Sequence, residues 1–508
     1  MSPKSAPAPA RPKLNPYRDQ PSLREAFRSP RILTREALAG LVVALALIPE
    51  AISFSVIAGV DPRVGLFSSF VMAVTIAFLG GRPAMITAAT GAVALVVAPL
   101  VREHGLDYLI ATVILAGIIQ ILLAVFGVAK LMRFIPRSVM VGFVNSLAIL
   151  IFVAQIPQLV DVPWLVYPLV VAGLAIIVAM PRITKAVPAP LVSIVVVTVA
   201  VVVMAINVPT VGDEGELPRS LPELFIPNIP FTWETFQLIA PYALGVALVG
   251  LMESLMTAKL VDDITDTRSN KTRESWGQGV ANIMSGLFGG MGGCAMIGQT
   301  MINVKASGAR TRISTFLAGT FLLILVVVLG DLVAMIPMAA LVAVMVMVSV
   351  ATFDWHSIKP STLKRMPRSE TIVMLSTVAL VLATSNLAIG VVGGVFVASV
   401  LFVRRVAHFV TVDRHVILPD DGAAPSAVRY TVTGELLFAS SNDLTTQFEY
   451  ADDPDRVIID MSQAHIWDAS TVAALDAIMT KYRNYGREVE LVGMNRHTAS
   501  LHRRLTEQ

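Results

Sequence analysis

The stretch GGCAMIGQTMINVKASG, residues 292–308, decides how this chain folds. It lies between long apolar runs, where a membrane-crossing helix is due. Yet it is rich in glycine, carries Gln299, Thr300 and Asn303, and closes on lysine. MITAATGAVALVVAPL, residues 85–100, is its counterpart earlier in the chain. Each follows a breaker, Gly80–Pro83 in one case and Gly289–Gly293 in the other. Each offers about 10–12 residues of helical pattern, too few for the roughly 30 Å of hydrocarbon in a bilayer. Unpaired backbone survives at that depth only where protein buries it or where it lines a cavity. Both segments are therefore expected to begin near the midplane.

The setting of these two segments is a polytopic membrane protein. The chain has 508 residues, 55% hydrophobic and 15% charged. A soluble domain of this length carries roughly 25% charge, so there are too few charges to cover a soluble surface. The single cysteine, Cys294, excludes an intramolecular disulfide. Seven histidines are scattered without metal-ligand spacing, so neither a metal nor another cofactor is expected. No nucleophile–base pair supports an enzyme, and nothing points to nucleic acid. The Pro/Ala-rich basic N-terminus reads as a solvated tail, with no cleavable signal peptide.

Residues 1–35 form a cytoplasmic lead. Apolar segments then run at about 37–58, 64–80, 90–101, 107–127, 138–156, 164–180 and 190–208. A polar, proline-rich stretch, Pro209–Trp233, separates them from a second set at about 236–261, 276–290, 298–307, 313–330, 336–350, 371–384 and 387–403. With the N-terminus inside, the inner loops carry sixteen basic residues, from Arg82, Lys130, Arg133 and Lys185 to Arg368, and the outer loops three. That asymmetry supports both the count of fourteen spans and the orientation. Seven spans per half means that structural repeats, 36–208 and 235–410, must be inverted relative to each other, as is common in secondary transporters.

Inversion makes one half-helix enter from each side, so their N-termini face each other. Free N–H groups and about half a positive charge at each end make an anion site without lysine or arginine. Gly91 and Gly298 would let an anion reach the backbone, with Thr90, Gln299 and Thr300 adding side-chain hydrogen bonds. The alternative is a glycine-rich helix-packing face.

Two carboxylates lie inside spans, Glu50 after Pro49 and Glu253 in VALVGLMESLMTAKL. Acids at this depth are functional candidates, here as carriers of a proton whose uptake and anion binding favour each other. Thr257, one turn after Glu253, leaves a sodium ion as the alternative. Other readings are a hydrogen bond from Glu50 to a broken helix and a buried pair of Glu253 with Lys259. Beyond Arg404 the composition turns polar. YTVTGELLF and RVIIDMS read as strands, STVAALDAIMTKYRNYG as a helix and EVELVGM as a strand: a small cytoplasmic α/β domain over 411–508.

Several stretches resemble one family. LIPEAISFSVIAGVDPRVGLFSSF, RFIPRSVMVGFVNSLAILIFVAQIP and WGQGVANIMSGLFGGMGGCAMIGQTMINVKASGARTRIS are similar to the first, fifth and ninth-to-tenth spans of SulP anion transporters, kin of solute carrier 26 and prestin. VIIDMSQAHIWDASTVAALD resembles their C-terminal STAS domain. The resemblance implies an all-α membrane domain of fourteen spans in two inverted repeats, divided into core and gate, followed by the α/β STAS domain. It implies substrate between the third and tenth spans, elevator-like movement and a homodimer. The family's Ser/Thr-Gly-Pro corresponds to Thr90, Gly91 and Ala92, and its Ser-Arg-Thr to Gly298, Gln299 and Thr300. Its first-span glutamine is Glu50 here, and its eighth-span acid matches Glu253. The serine phosphorylated in anti-sigma antagonists matches Ser470. The expected function is proton-coupled symport of a small anion across the inner membrane, a dicarboxylate such as fumarate, bicarbonate or sulfate. Sodium-coupled symport and an anion channel are the alternatives, and the STAS domain invites a cytoplasmic protein partner.

Overall fold

The computed structural model describes residues 22–127, 135–183, 187–407, 410–418 and 426–506. Lys130, Arg133 and Lys185 of the inner loops, and most of the N-terminal lead, lie outside the described residues. The chain divides into two compact units at Val395/Phe396.

The first half contains α1 (Leu23–Arg28), α2 (Pro30–Ala58), α3 (Pro62–Leu79), β1 (Thr87–Ala88), α4 (Gly91–His104), α5 (Leu106–Val125), α6 (Arg137–Val153), α7 (Val166–Ile183) and α8 (Ala189–Val203). The second contains α9 (Trp233–Thr265), α10 (Lys271–Leu287), β2 (Cys294–Ala295), α11 (Ile297–Met301), α12 (Arg312–Val328), α13 (Gly330–Ala334), α14 (Met338–Thr352), α15 (Pro360–Arg365), α16 (Arg368–Thr384) and α17 (Leu387–Ala407). A π-helical turn, Ile302–Ala306, continues α11. Setting aside the short α1, α13 and α15, the halves repeat one order. In both, the third member is a two-residue strand followed by a short helix.

Among the described residues, seven helices are long and apolar enough to cross a membrane by themselves. α8, α12 and α14 are apolar but shorter. The outer surface fits lipid: Phe126 and Val203 are 80% and 78% exposed with no polar cover of their own.

Helices α2–α5 pack with α9, α10 and α12, while α6–α8 pack with α14 and α16. This follows the expected division into core and gate. The groups meet where α14 and α8 touch α2 and where α6 touches α4. The two halves pair reciprocally in the core. α5 lies on α10 through Gly117 and Gly279, where a Cβ on either would strike the other's carbonyl oxygen. The counterpart pair, α12 on α3, closes at Gly319, whose Cβ would lie 2.9 Å from Ala73 and 3.1 Å from the Phe70 carbonyl. Small residues bring backbones together where apolar burial gives no advantage over lipid.

Charged side chains finish helix ends in the core. Arg273 donates to the carbonyls of Phe78 and Leu79, and Arg312 to those of Ala77 and Gly80, at the C-terminal end of α3. Cations there meet the orphan carbonyls and the negative end of the dipole. The Glu274 carboxylate accepts from the backbone N–H groups of Gly81 and Arg82.

The second unit holds β3 (Thr411–Ile417), β4 (Ala427–Leu436), α18 (Phe438–Thr446), β5 (Arg456–Ile466), α19 (Ala469–Asn484), β6 (Glu488–Val492) and α20 (Arg496–Thr506). The sheet order is β3-β4-β5-β6, antiparallel in the first pair and parallel in the others. Its core collects Val428, Val432, Ile459 and Leu475 beside Tyr430, Phe448 and Tyr482. Buried Asp453 accepts from the hydroxyls of Tyr430 and Tyr482, each at 2.6 Å, and from Arg414. Burial and that carboxylate hold the Tyr482 phenol above its ordinary range. β3, α18 and α20 are additions to the elements read from sequence. β3 is almost wholly exposed, without the alternation that marks a half-buried strand.

Candidate functional site

The two weak segments do come together, and more closely than two helix ends facing across a gap. β1 and β2 cross as an antiparallel ladder, Thr87 opposite Ala295 and Ala88 opposite Cys294. Just outside it, Met296 N–H donates to the Ile86 carbonyl at 2.9 Å. The extended backbone ahead of each half-helix has polar groups that must be paired in an apolar interior, and each strand supplies the other. The ladder joins the two stretches of backbone just ahead of the helix ends, Gly91 and Ile297.

Neighbouring side chains satisfy the rest of this backbone. Ser69 accepts from Ala89 N–H, Ser254 from Ala295 N–H, and Asn282 from Gly293 N–H at 2.9 Å. Asn282 in turn donates to Gln120, and Gln278 donates to Thr87. All of these side chains are buried.

From the ladder the two half-helices set off differently. α4 runs fourteen residues, with Thr90 as N-cap accepting from Val93 N–H. α11 has five residues, no side-chain cap, and passes into the π-turn. Asn303 steadies that turn by donating to the Ala84 carbonyl and to Ser314.

Both intramembrane acids attach to this crossing. Glu253, on α9, accepts from the Cys294 thiol at 3.0 Å, and Cys294 lies 3.2 Å from the Thr90 hydroxyl. With the thiol proton committed to Glu253, the Thr90 hydroxyl donates to sulfur. Glu50, on α2, accepts from the Gln299 amide at 2.7 Å. Glu253 is buried and Glu50 half-buried.

The expected site residues differ in what surrounds them. Thr300 does not offer its hydroxyl oxygen to a ligand alone: it accepts from Ile86 N–H at 3.0 Å and is fully buried. Gly91 is a packing position, where a Cβ would come within 2.9 Å of Phe54 and 3.2 Å of Ile151. Ala92 is buried beside it. Gly298 is exposed, and a Cβ there would meet nothing within 4 Å. Thr257 donates its hydroxyl to the carbonyls of Glu253 and Ala295, at 2.8 and 3.2 Å. Lys259 is exposed and makes no pair with Glu253.

Sequence reading passed over Cys294 as anything but a disulfide question, and passed over Gln120, Gln278 and Asn282. The signal for the last two was present: Gln278, Asn282 and Ser285 fall at helical spacing in GQGVANIMSG and form one polar stripe of α10. An open cavity of about 530 Å³ lies elsewhere, along Arg31, Arg35, Leu38 and Ser307, and reaches none of the residues at the crossing. In the second unit, Ser470 is exposed in the first turn of α19, two residues after the N-cap Asp468.

Residues 33–166 and 163–377 match the family model described as Sulfate permease family, and residues 421–506 match the STAS domain. "Putative sulfate transporter YbaR" of Bacillus subtilis is 52% identical over 92% of this chain and 96% of its own. The solved transmembrane domain of a cyanobacterial bicarbonate transporter, BicA, superposes with a TM-score of 0.61 at 25% identity, over 73% of this chain and 98% of that one. The murine solute carrier 26 member A9 anion transporter, solved inward-facing, superposes with a TM-score of 0.79 at 16% identity, over 93% and 87% of the two chains. That last likeness is one of fold.

Proposed function

This chain belongs to the sulfate permease family and is an anion transporter, and we propose that it is a proton-coupled secondary symporter for a small oxyanion. The substrates are sulfate, bicarbonate or a dicarboxylate such as fumarate. One observation carries this reading: the crossing of the two half-helices holds both intramembrane acids, Glu50 through Gln299 and Glu253 through Cys294. An anion arriving at the open face of Gly298 enters a field of two opposed contributions. Peptide dipoles at the start of α4 and α11 attract it. Carboxylates repel it: two like unit charges 4 Å apart cost about 4 kcal/mol at an effective dielectric of about 20. A proton on a carboxylate removes that repulsion, so anion and proton bind best together.

The substrate meets Gly298 and Gln299, and Thr90, Gly91, Ala92 and Thr300 shape the floor of the site beneath them. Transport moves the core group against the gate group, an elevator-like shift in an inner-membrane homodimer, with the STAS domain in the cytoplasm and Ser470 open to regulation.

Uptake into proteoliposomes tests this reading. Labelled sulfate, bicarbonate and fumarate are offered with and without an inward pH gradient, and with sodium replaced by potassium. Uphill uptake of at least one anion that follows the pH gradient and ignores sodium is the expected result. Sodium dependence, or flux that never runs uphill, refutes it.

A further inference from the structure

We infer that Gln299 is the residue that converts protonation of Glu50 into attraction for the anion, by turning its carboxamide over. The inference rests on the proton-coupled reading above and names which acid carries the coupling and how the anion senses it.

The Gln299 side chain is 2% exposed and its two polar ends are treated unequally. The amide nitrogen donates to Glu50. The amide oxygen is buried and has no hydrogen-bond partner among the described residues. A native structure rarely leaves a buried acceptor unpaired without a functional reason. With Glu50 ionised, the arrangement is forced, because a carboxylate accepts and only the NH₂ end can serve it. The remaining end, an oxygen carrying partial negative charge, is then hostile to an anion.

Protonation at Oε1, the Glu50 oxygen that faces Gln299, reverses the requirement. A proton taken from water onto Glu50 makes that oxygen a hydroxyl donor, which the Gln299 oxygen accepts once the amide has rotated by half a turn. Two N–H donors then occupy the place of the orphan oxygen. They are unpaired and buried, and an anion satisfies them. One proton thus exchanges an acceptor for a pair of donors beside Gly298, where a Cβ would find open space.

The neighbouring groups isolate Glu50 as the acid able to do this. α1, α3, α4, α8, the α11–π segment, α12 and α14 pack on α2, and their titratable groups are Arg24, Glu25, Arg28, Arg63, Arg102, Glu103, His104, Lys305 and Arg312, with Arg31 and Arg35 at the N-terminal end of α2 itself. None of them pairs with Glu50. Arg63 pairs with Glu216, Arg312 caps α3, and His104 meets Glu103. On α2 itself, Glu36 is held by the backbone of Arg310 and Thr311. Glu274 also accepts from a buried glutamine, Gln278, whose amide oxygen is likewise unpaired. But the Gln278 amide nitrogen also donates to Thr87, a second bond that holds that amide in place. Glu253 faces a thiol, which has no second end to offer.

The test is anion affinity against pH for purified protein, with sulfate, bicarbonate and fumarate as probes, followed by uptake. In the wild type, affinity for the transported anion rises on acidification by up to about tenfold per pH unit, the limit for one linked proton. Glu50→Gln retains an amide-to-amide hydrogen bond but has nothing to titrate, and its affinity changes by less than about twofold over the same range. Gln299→Leu leaves Glu50 titratable but removes the turning group. Its affinity is lower at acid pH and the slope is lost, whereas Gln299→Asn, which can still turn, keeps part of the slope. A steep slope in Glu50→Gln or in Gln299→Leu overturns the inference while leaving proton coupling intact. A flat wild-type profile for all three anions overturns the coupling reading and the inference with it.

Discussion

α4 and α11 occupy the same place in two inverted halves, and they are built to opposite specifications. α4 is capped by Thr90, runs fourteen residues and has Gly91 wedged against Phe54 and Ile151. α11 is uncapped, ends after five residues in a π-turn and presents Gly298 to open space. Inversion needs only the path of the chain to be repeated. It leaves one copy free to pack as a wall while the other keeps an open face. The comparison also explains why the same residue type, glycine, has two meanings: in α4 it makes room for protein, in α11 it leaves room for something else.

Substitutions at matched positions can break this contrast. The largest effect belongs to Gly91→Val, which drives methyl groups into Phe54 and Ile151. Overpacking of a core costs about 1–3 kcal/mol, so thermal unfolding moves down clearly and uptake falls with it. Thr300→Val comes next, because Ile86 N–H loses its buried acceptor at a cost of about 1–3 kcal/mol. Thr300→Ser, which keeps the oxygen, recovers most of that loss in the same melting experiment. Thr90→Ala removes the cap of α4 for about 1 kcal/mol, with Thr90→Ser close to wild type. Smallest is Gly298→Ala, within about 0.5 kcal/mol of wild-type stability. A bulky residue at Gly298 likewise leaves the melting temperature near wild type while anion affinity falls. If Gly298→Phe binds anion normally, α11 is not the ligand-facing copy; if Gly91→Val melts like wild type, α4 is not the wall.

Much of the architecture could be read from the chain. Breakers ahead of two short apolar runs located the half-helices, and basic residues on alternate loops ordered the spans. Both signals are local or additive, so a sequence carries them openly. The ladder between β1 and β2 was hidden because two residues per strand leave no periodicity, and its partners are more than two hundred residues apart. Residue type alone suggested that Thr90, Gln299 and Thr300 bind substrate. It could not show that Thr300 is spent on Ile86 or that Gln299 is spent on Glu50, since a hydroxyl or amide bonds whatever the fold brings near. The same holds for Cys294, whose place between Thr90 and Glu253 exists only after the halves have crossed.

That last residue has a practical consequence. The chain's one sulfhydryl is wholly enclosed, at the point where the two repeats interlock. A water-borne maleimide reaches it only when the helices around it part, from whichever side the opening occurs. Its labelling rate, followed with reagent on one face of the membrane or the other and with anion present or absent, tests for alternation in the native chain, with no cysteine added and none removed.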